Sequence, residues 1–308
     1  MQRQKNIRQL LLLIVLVATV TLLFLFSNTA THEAVDKTIF QIPQLEQVDQ
    51  LWLESPKGKT TLRFDGANWK VDDRFEADRQ MMKVLFATLK QTAVKRPVAA
   101  HQKDSLQKEI KGKGVKVTAW TGTSRAKEFW VGGNREKNET YFMGQDGQPF
   151  VVSIPGYRVT VAAIFELPPI EWRNKQVFRF NWQNIKTLQV TFPGDARQSF
   201  QAGFQGNFFG IDGIATDTTK LDQFMDALLQ LRADKLLDES QASAYDSLKR
   251  TRALVEVVIA DVAQRKYTLT VFPAWHRQVV ATSQDGWFIL NPLDLSRLYR
   301  KKDYFIAR

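Results

Sequence analysis

The sequence predicts an α+β protein in which an N-terminal transmembrane helix is followed by two tandem repeats, each an antiparallel sheet with a packed helix. Three observations carry this prediction. One uncharged apolar run stands near the N-terminus, a single order of strands and helix occurs twice at a nearly constant offset, and the strand-like segments are joined by turns too short for parallel crossovers.

Leu10 to Phe26 contains no charge, Gly or Pro and departs from apolarity only at Thr19 and Thr21. As a helix these 17 residues (26 − 10 + 1) reach about 25 Å, the short end of what crosses a hydrocarbon core of about 30 Å. Leu10, Leu16, Leu22 and Phe26 mark the lipid-facing run. Arg3, Lys5 and Arg8 precede it and Glu33 and Asp36 follow it. The positive-inside rule then makes residues 1–9 a cytoplasmic tail, residues 10–27 an inner-membrane anchor, and everything beyond periplasmic. A cleaved signal peptide is the competing expectation, but its apolar region is shorter, about 7–15 residues, and Asn28-Thr29-Ala30 is a poor cleavage site. Residues 28–45 read as a polar tether.

The first repeat is expected over residues 46–178 and the second over 179–308. Leu51-Trp52-Leu53, Thr61-Leu62-Arg63-Phe64 and Trp69-Lys70-Val71 alternate as strands, with turn chemistry at Pro56-Lys57-Gly58 and Asp65-Gly66. Leu188-Gln189-Val190, Ser199-Phe200-Gln201-Ala202 and Phe208-Phe209-Gly210-Ile211 answer them. A helix follows in each copy, capped by Asp78 and by Asp217 (217 − 78 = 139). Its apolar stripe of Met82, Leu85, Phe86 and Leu89 is repeated at the same offset by Leu221, Phe224, Met225 and Leu228.

Lys95-Arg96-Pro97 is expected to end the first helix, and Lys111-Gly112-Lys113-Gly114 to connect it to the strand from Val115. In the second copy Tyr245 to Arg252 forms an additional short element before the strand from Val255. Asp146-Gly147 and Asp285-Gly286 mark later turns, and Pro155-Gly156 and Pro168-Pro169 bracket a short helix at the junction. A gapless pairing of residues 172–178 with 299–305 makes Tyr299 the counterpart of Trp172 and Phe305 that of Phe178. Phe204, Phe208 and Phe209, beside Gly203, Gly206 and Gly210, read as a tight hairpin with core aromatics.

Composition removes several function classes. The absence of Cys excludes a disulfide framework, a thiolate nucleophile and a lipoprotein cysteine. The net charge of +11 suits an anionic envelope surface. Its basic residues are interspersed with acids and carry no zinc-finger, helix-turn-helix or ribonucleoprotein pattern, so no nucleic-acid partner is expected. His32, His101 and His276 lack ligand spacing, and the Gly-x-Ser-x-Gly, Walker and dinucleotide motifs are missing. No catalytic residue, metal or cofactor is expected, and the chain is read as non-enzymatic. The candidate contact residues are instead aromatic and basic: Trp172, Arg173, Phe178 and Trp182 at the junction, and Tyr299, Arg300, Lys301 and Lys302 near the C-terminus.

The anchor, the strand Trp69-Lys70-Val71, the helix after Asp78, and the run from Ile154-Pro155-Gly156-Tyr157 through Phe165-Glu166-Leu167-Pro168 to Trp172-Arg173-Asn174-Lys175 and Phe178 resemble the bacterial domain-of-unknown-function family numbered 4340. The resemblance covers most of the chain after the anchor and implies no catalytic residues. Members of that family are often encoded beside ABC transporter subunits of the gliding-motility type, which implies an envelope partner. The expected function is a scaffold or accessory subunit of an envelope complex. The alternative is a periplasmic receptor that binds a lipid, glycan or peptide between the repeats.

Overall fold

The structure, a computed structural model, describes residues 12–22, 36–42, 44–134, 136, 138–156 and 160–307. Alternating apolar residues build two antiparallel sheets, one in each half of the chain. The first contains β1 (Gln50–Ser55), β2 (Gly58–Phe64), β3 (Trp69–Val71), β4 (Phe75–Glu76), β5 (Ala93–Pro97), β6 (Val115–Thr121), β7 (Ser124–Gly133), β8 (Thr140–Met143) and β9 (Pro149–Ser153). Its order is β4-β3-β2-β1-β6-β7-β8-β9-β5. The second contains β10 (Ile185–Thr191), β11 (Phe200–Gln205), β12 (Phe208–Ile211), β13 (Lys235–Leu236), β14 (Val255–Asp261), β15 (Lys266–Val271), β16 (Val279–Ser283) and β17 (Gly286–Leu290), in the order β12-β11-β10-β14-β15-β16-β17-β13.

The register shows the likeness of the two halves. Leu51 on β1 stands between Leu62 and Ala119, and Leu188 on β10 stands between Ala202 and Ile259; all six are fully buried. A one-residue slip in either strand would turn this whole row to solvent, so the buried face fixes the pairing. Helix α2 (Arg79–Gln91) covers the first sheet with Met82, Leu85 and Leu89, and α5 (Thr218–Gln230) covers the second with Leu221, Phe224, Met225 and Leu228. Both begin at their Asp caps: the Asp78 carboxylate accepts from the Gln80 and Met81 amides, and the Asp217 carboxylate from that of Lys220. Short helices α4 (Ala162–Phe165), α6 (Glu239–Ser243) and α7 (Pro292–Leu298) complete the packing. Each half keeps its own apolar core.

The structure corrects four sequence expectations. Lys95-Arg96-Pro97 does not close α2, which stops at Gln91; these residues belong to β5, an edge strand paired with β9, where Pro97 takes no ladder bond from the sheet interior. The basic connection before Val115 is the last turn of a helix, α3 (Ala100–Lys113), which buries only Ile110 and so gives little apolar periodicity to read. The residue after it, Gly114, is extended and must be glycine, because a Cβ there would lie 2.5 Å from the carbonyl oxygens of both Ile110 and Val131. The described end of the expected tether is not a tether: Phe40 and Ile42 are buried in the first core, and Phe40 meets the rings of Phe129, Phe142 and Phe150 edge-on. Finally, the β11–β12 hairpin is present, but Phe204 and Phe208 are 56% and 74% exposed, and Phe209 is only partly covered.

Residues 12–22 form helix α1, whose side chains are all exposed. Among the described residues, no helix is long and apolar enough to cross a membrane. Leu16 and Leu22 lie on α1, whereas Leu10 and Phe26, the outer marks of the expected span, lie outside the described residues.

Candidate functional site

The chain between the two cores is an extended clamp. On the first side the Asp78 amide donates to the Trp172 carbonyl at 2.8 Å and the Asn174 amide to the Glu76 carbonyl at 2.7 Å. On the second side the Val177 amide donates to Leu231 at 3.0 Å and the Ala233 amide to Lys175 at 2.7 Å. Residues 172–177 thus join the segment that opens α2 to the segment that leaves α5.

The same clamp closes the second half. Asp217 donates its amide to the Phe305 carbonyl at 2.8 Å, and Ala307 donates to Ala215 at 2.9 Å. The structural counterpart of Trp172 is therefore Phe305 (305 − 172 = 133), and the gapless pairing of Trp172 with Tyr299 is displaced by six residues. Tyr299 instead matches Glu166, each donating its amide four residues back at the end of α7 and α4. The displacement arises because Trp172-Arg173 resembles Tyr299-Arg300 in residue type, and only backbone pairing shows that the equivalent position is Phe305.

The expected site residues separate in space. Trp172 is fully buried in the first core, while Phe178 and Phe180 are buried in the second. Trp182 lies at the surface beside Phe209. Tyr299 packs edge-on against Phe192, Arg300 lies 4.8 Å from the Tyr304 ring centroid, Lys301 donates to Asp195 at 3.0 Å, and Lys302 is half-buried. Arg173 alone of the expected set faces the contact between the halves: its guanidinium lies 3.5 Å from the Phe75 ring centroid and donates to the Asp285 carbonyl.

Around Arg173 the sequence concealed an ion-pair network. Arg179 donates to Glu76 of β4 at 3.2 Å and also to the carboxylate of Asp285 in the β16–β17 turn. Arg232, just after α5, donates to Asp78 at 2.7 Å. Glu76 and Asp78 belong to the first half, and Arg179, Arg232 and Asp285 to the second, so the Arg179–Glu76 and Arg232–Asp78 pairs cross the junction while Arg179–Asp285 orients the guanidinium from its own side. The Nε of Arg179 is buried without a hydrogen-bond partner. Only spatial proximity unites residues 76, 179 and 285, and no local motif announces them.

This network lies along a cleft of about 1180 Å³ between the halves, lined mostly by charged and amide side chains. Burial, followed by the neighbouring charges of Arg74 and Arg179, lowers the Arg173 guanidinium to about 10, so it stays charged at neutral pH. Burial raises the Asp78 carboxyl, but the Met81 amide, the Arg232 guanidinium and the Gln80 amide outweigh it and hold it below its ordinary 3.8. A depressed carboxyl stabilises the fold fully above its unfolded value and loses that contribution as pH falls through the folded value. Acidification from about pH 5 downward should therefore lower the urea midpoint of the wild type. Asp78→Asn, which has no charge to lose there, should be less stable near neutrality and show a shallower acid decline; parallel declines would contradict the role of Asp78.

Among the described residues no group of three or more His, Cys, Asp or Glu side chains is placed to hold a metal ion. His101 lies exposed on α3, His276 lies in a turn with φ of 46°, and His32 falls outside the described residues.

Fold and junction together define a duplicated α+β module: two antiparallel sheets, each with a capped helix, clamped across a polar cleft. A family model described as "Domain of unknown function (DUF4340)" matches residues 69–249, 181 (249 − 69 + 1) of the 308 residues. The chain belongs to this family. Neither the curated proteins nor the solved structures give a match.

Proposed function

We propose that the chain is a non-enzymatic single-pass membrane protein, anchored by residues 10–27 with its N-terminus inside. Its duplicated domain serves on the periplasmic side as a scaffold or accessory subunit of an envelope complex linked to an ABC transporter. The anchor is supported by α1: its apolar side chains are all exposed among the described residues, and the Thr19 and Thr21 hydroxyls donate to the Val15 and Val17 carbonyls at 2.6 and 2.7 Å. Polar groups satisfied within their own helix suit an apolar surrounding. A reporter active only outside the cytoplasm, fused after Arg308, should be active; activity confined to a cytoplasmic reporter would reverse the orientation.

The observation that carries the scaffold reading is the β11–β12 hairpin. β12 is the free edge of the second sheet, and Phe204 and Phe208 leave most of their surface in solvent there. An unpaired edge bearing large apolar side chains is a liability that burial against a partner removes. Crosslinking and affinity purification of the tagged full chain from native membranes should recover a reproducible membrane-protein partner. Phe204→Ser/Phe208→Ser should lose that partner while melting like the wild type. Undiminished recovery by the variant, or no partner at all, would contradict the reading.

A further inference from the structure

We infer that the cleft between the repeats binds a hydrophilic polyanion, a ligand carrying two or more phosphate or carboxylate groups. Seven Lys and Arg side chains line the cleft against three carboxylates. Asp65 and Asp261, just outside the lining, pair with Lys70 and Arg265, which leaves an excess of two cations. The three lining carboxylates are already engaged, Glu76 and Asp285 by Arg179 and Asp78 by Arg232. Lys83 from α2 and Lys266 from β15 are exposed and form no ion pair or hydrogen bond among the described residues. One comes from each repeat.

The amide groups have the same bias. The side-chain oxygen of Asn68 accepts from Arg79, that of Asn174 from the Gln176 amide, that of Asn181 from the Gln183 and Asn184 amides, and that of Gln284 from the Thr268 amide. Their NH₂ ends make no bond among the described residues. Two lining amides differ: the Gln176 NH₂ is spent on the Leu229 carbonyl, and the Gln80 side chain makes no bond at either end among the described residues. The amide and ammonium capacity left to the cleft is thus mainly donors, five amide NH₂ groups and two ammonium groups against the side-chain oxygens of Gln80 and Gln176. Such a surface complements a ligand rich in acceptors and negative charge. Phe180 and Tyr267 are the only aromatic residues of the lining, so a lipid tail finds little apolar wall. The inference does not depend on the partner-binding hairpin.

The test uses the full chain in neutral-lipid nanodiscs, with inorganic pyrophosphate titrated calorimetrically at low salt. Vesicles of phosphatidylcholine with or without cardiolipin are compared by co-sedimentation. Pyrophosphate should occupy one site, and Lys83→Gln/Lys266→Gln should weaken it about tenfold or more. Lys301→Gln/Lys302→Gln, in the basic cluster outside the cleft lining, should leave it unchanged. Binding of cardiolipin vesicles alone, lost in the cleft variant, would support the same site with a two-phosphate lipid headgroup as the anion source. Absence of binding to either probe, or equal weakening by both variants, would overturn the inference. Because Phe204 and Phe208 are intact in these proteins, that failure would leave partner recovery unaffected.

Discussion

Trp172→Ala should destabilise the first repeat by about 3–5 kcal/mol, the usual cost of truncating a buried Trp. Trp172 is fully buried in a core built from β1, β2, β6, β7, α2 and α4. Its indole Nε1 makes no hydrogen bond, so the truncation forfeits packing alone. The backbone carbonyl that receives the Asp78 amide remains. Against a domain margin of about 5–15 kcal/mol, this loss is large enough to show as a fall in the urea midpoint of the full chain in detergent. Trp172→Phe should recover much of it, because the equivalent position of the second repeat is filled by Phe305, itself fully buried. An Ala variant that melts like the wild type would refute the placement of Trp172 in the core.

Arg179→Ala should separate the two repeats energetically while each keeps its core. The guanidinium is the common partner of Glu76 and Asp285, and removing it leaves two partly buried carboxylates facing each other across the junction. Unpaired groups of this kind cost about 1–3 kcal/mol, and the sign is reinforced by the repulsion of like charges. The urea transition should shift downward and split into two steps. Arg179→Lys should rescue only in part, since one ammonium cannot present the planar fork that reaches both carboxylates. A single unshifted transition would mean that the backbone clamp of residues 172–177 suffices without the ion pairs.

Much of this architecture was legible because duplication makes apolar periodicity appear twice. Leu85 and Phe224, read as equivalent from their spacing, are buried at equivalent positions of α2 and α5, and Asp78 and Asp217 do cap those helices. Elements that bury little were not legible. Helix α3 presents a single buried side chain, Ile110, and carries Gly112 in its last turn, so neither stripe nor breaker pattern identified it. The Phe204-Phe208 hairpin misled for the opposite reason: aromatic residues imply burial, yet at a sheet edge they face outward. The junction was hardest to read. Arg173 stood out by its aromatic neighbours, but Glu76, Arg179 and Asp285 are distant in sequence, and charges that meet only after two repeats dock leave no spacing to recognise.

The claim beneath both proposals is that the repeats form one body, with the cleft and the aromatic hairpin held in fixed relation. The chain contains no Cys, so paired spin labels at Gln80→Cys and Gln284→Cys, exposed residues on opposite repeats lining the cleft, report that relation without background. Pulsed electron–electron spin measurement on the full chain should give one narrow distance distribution that broadens in Arg179→Ala. A broad or multiply peaked distribution in the otherwise unaltered chain would contradict it.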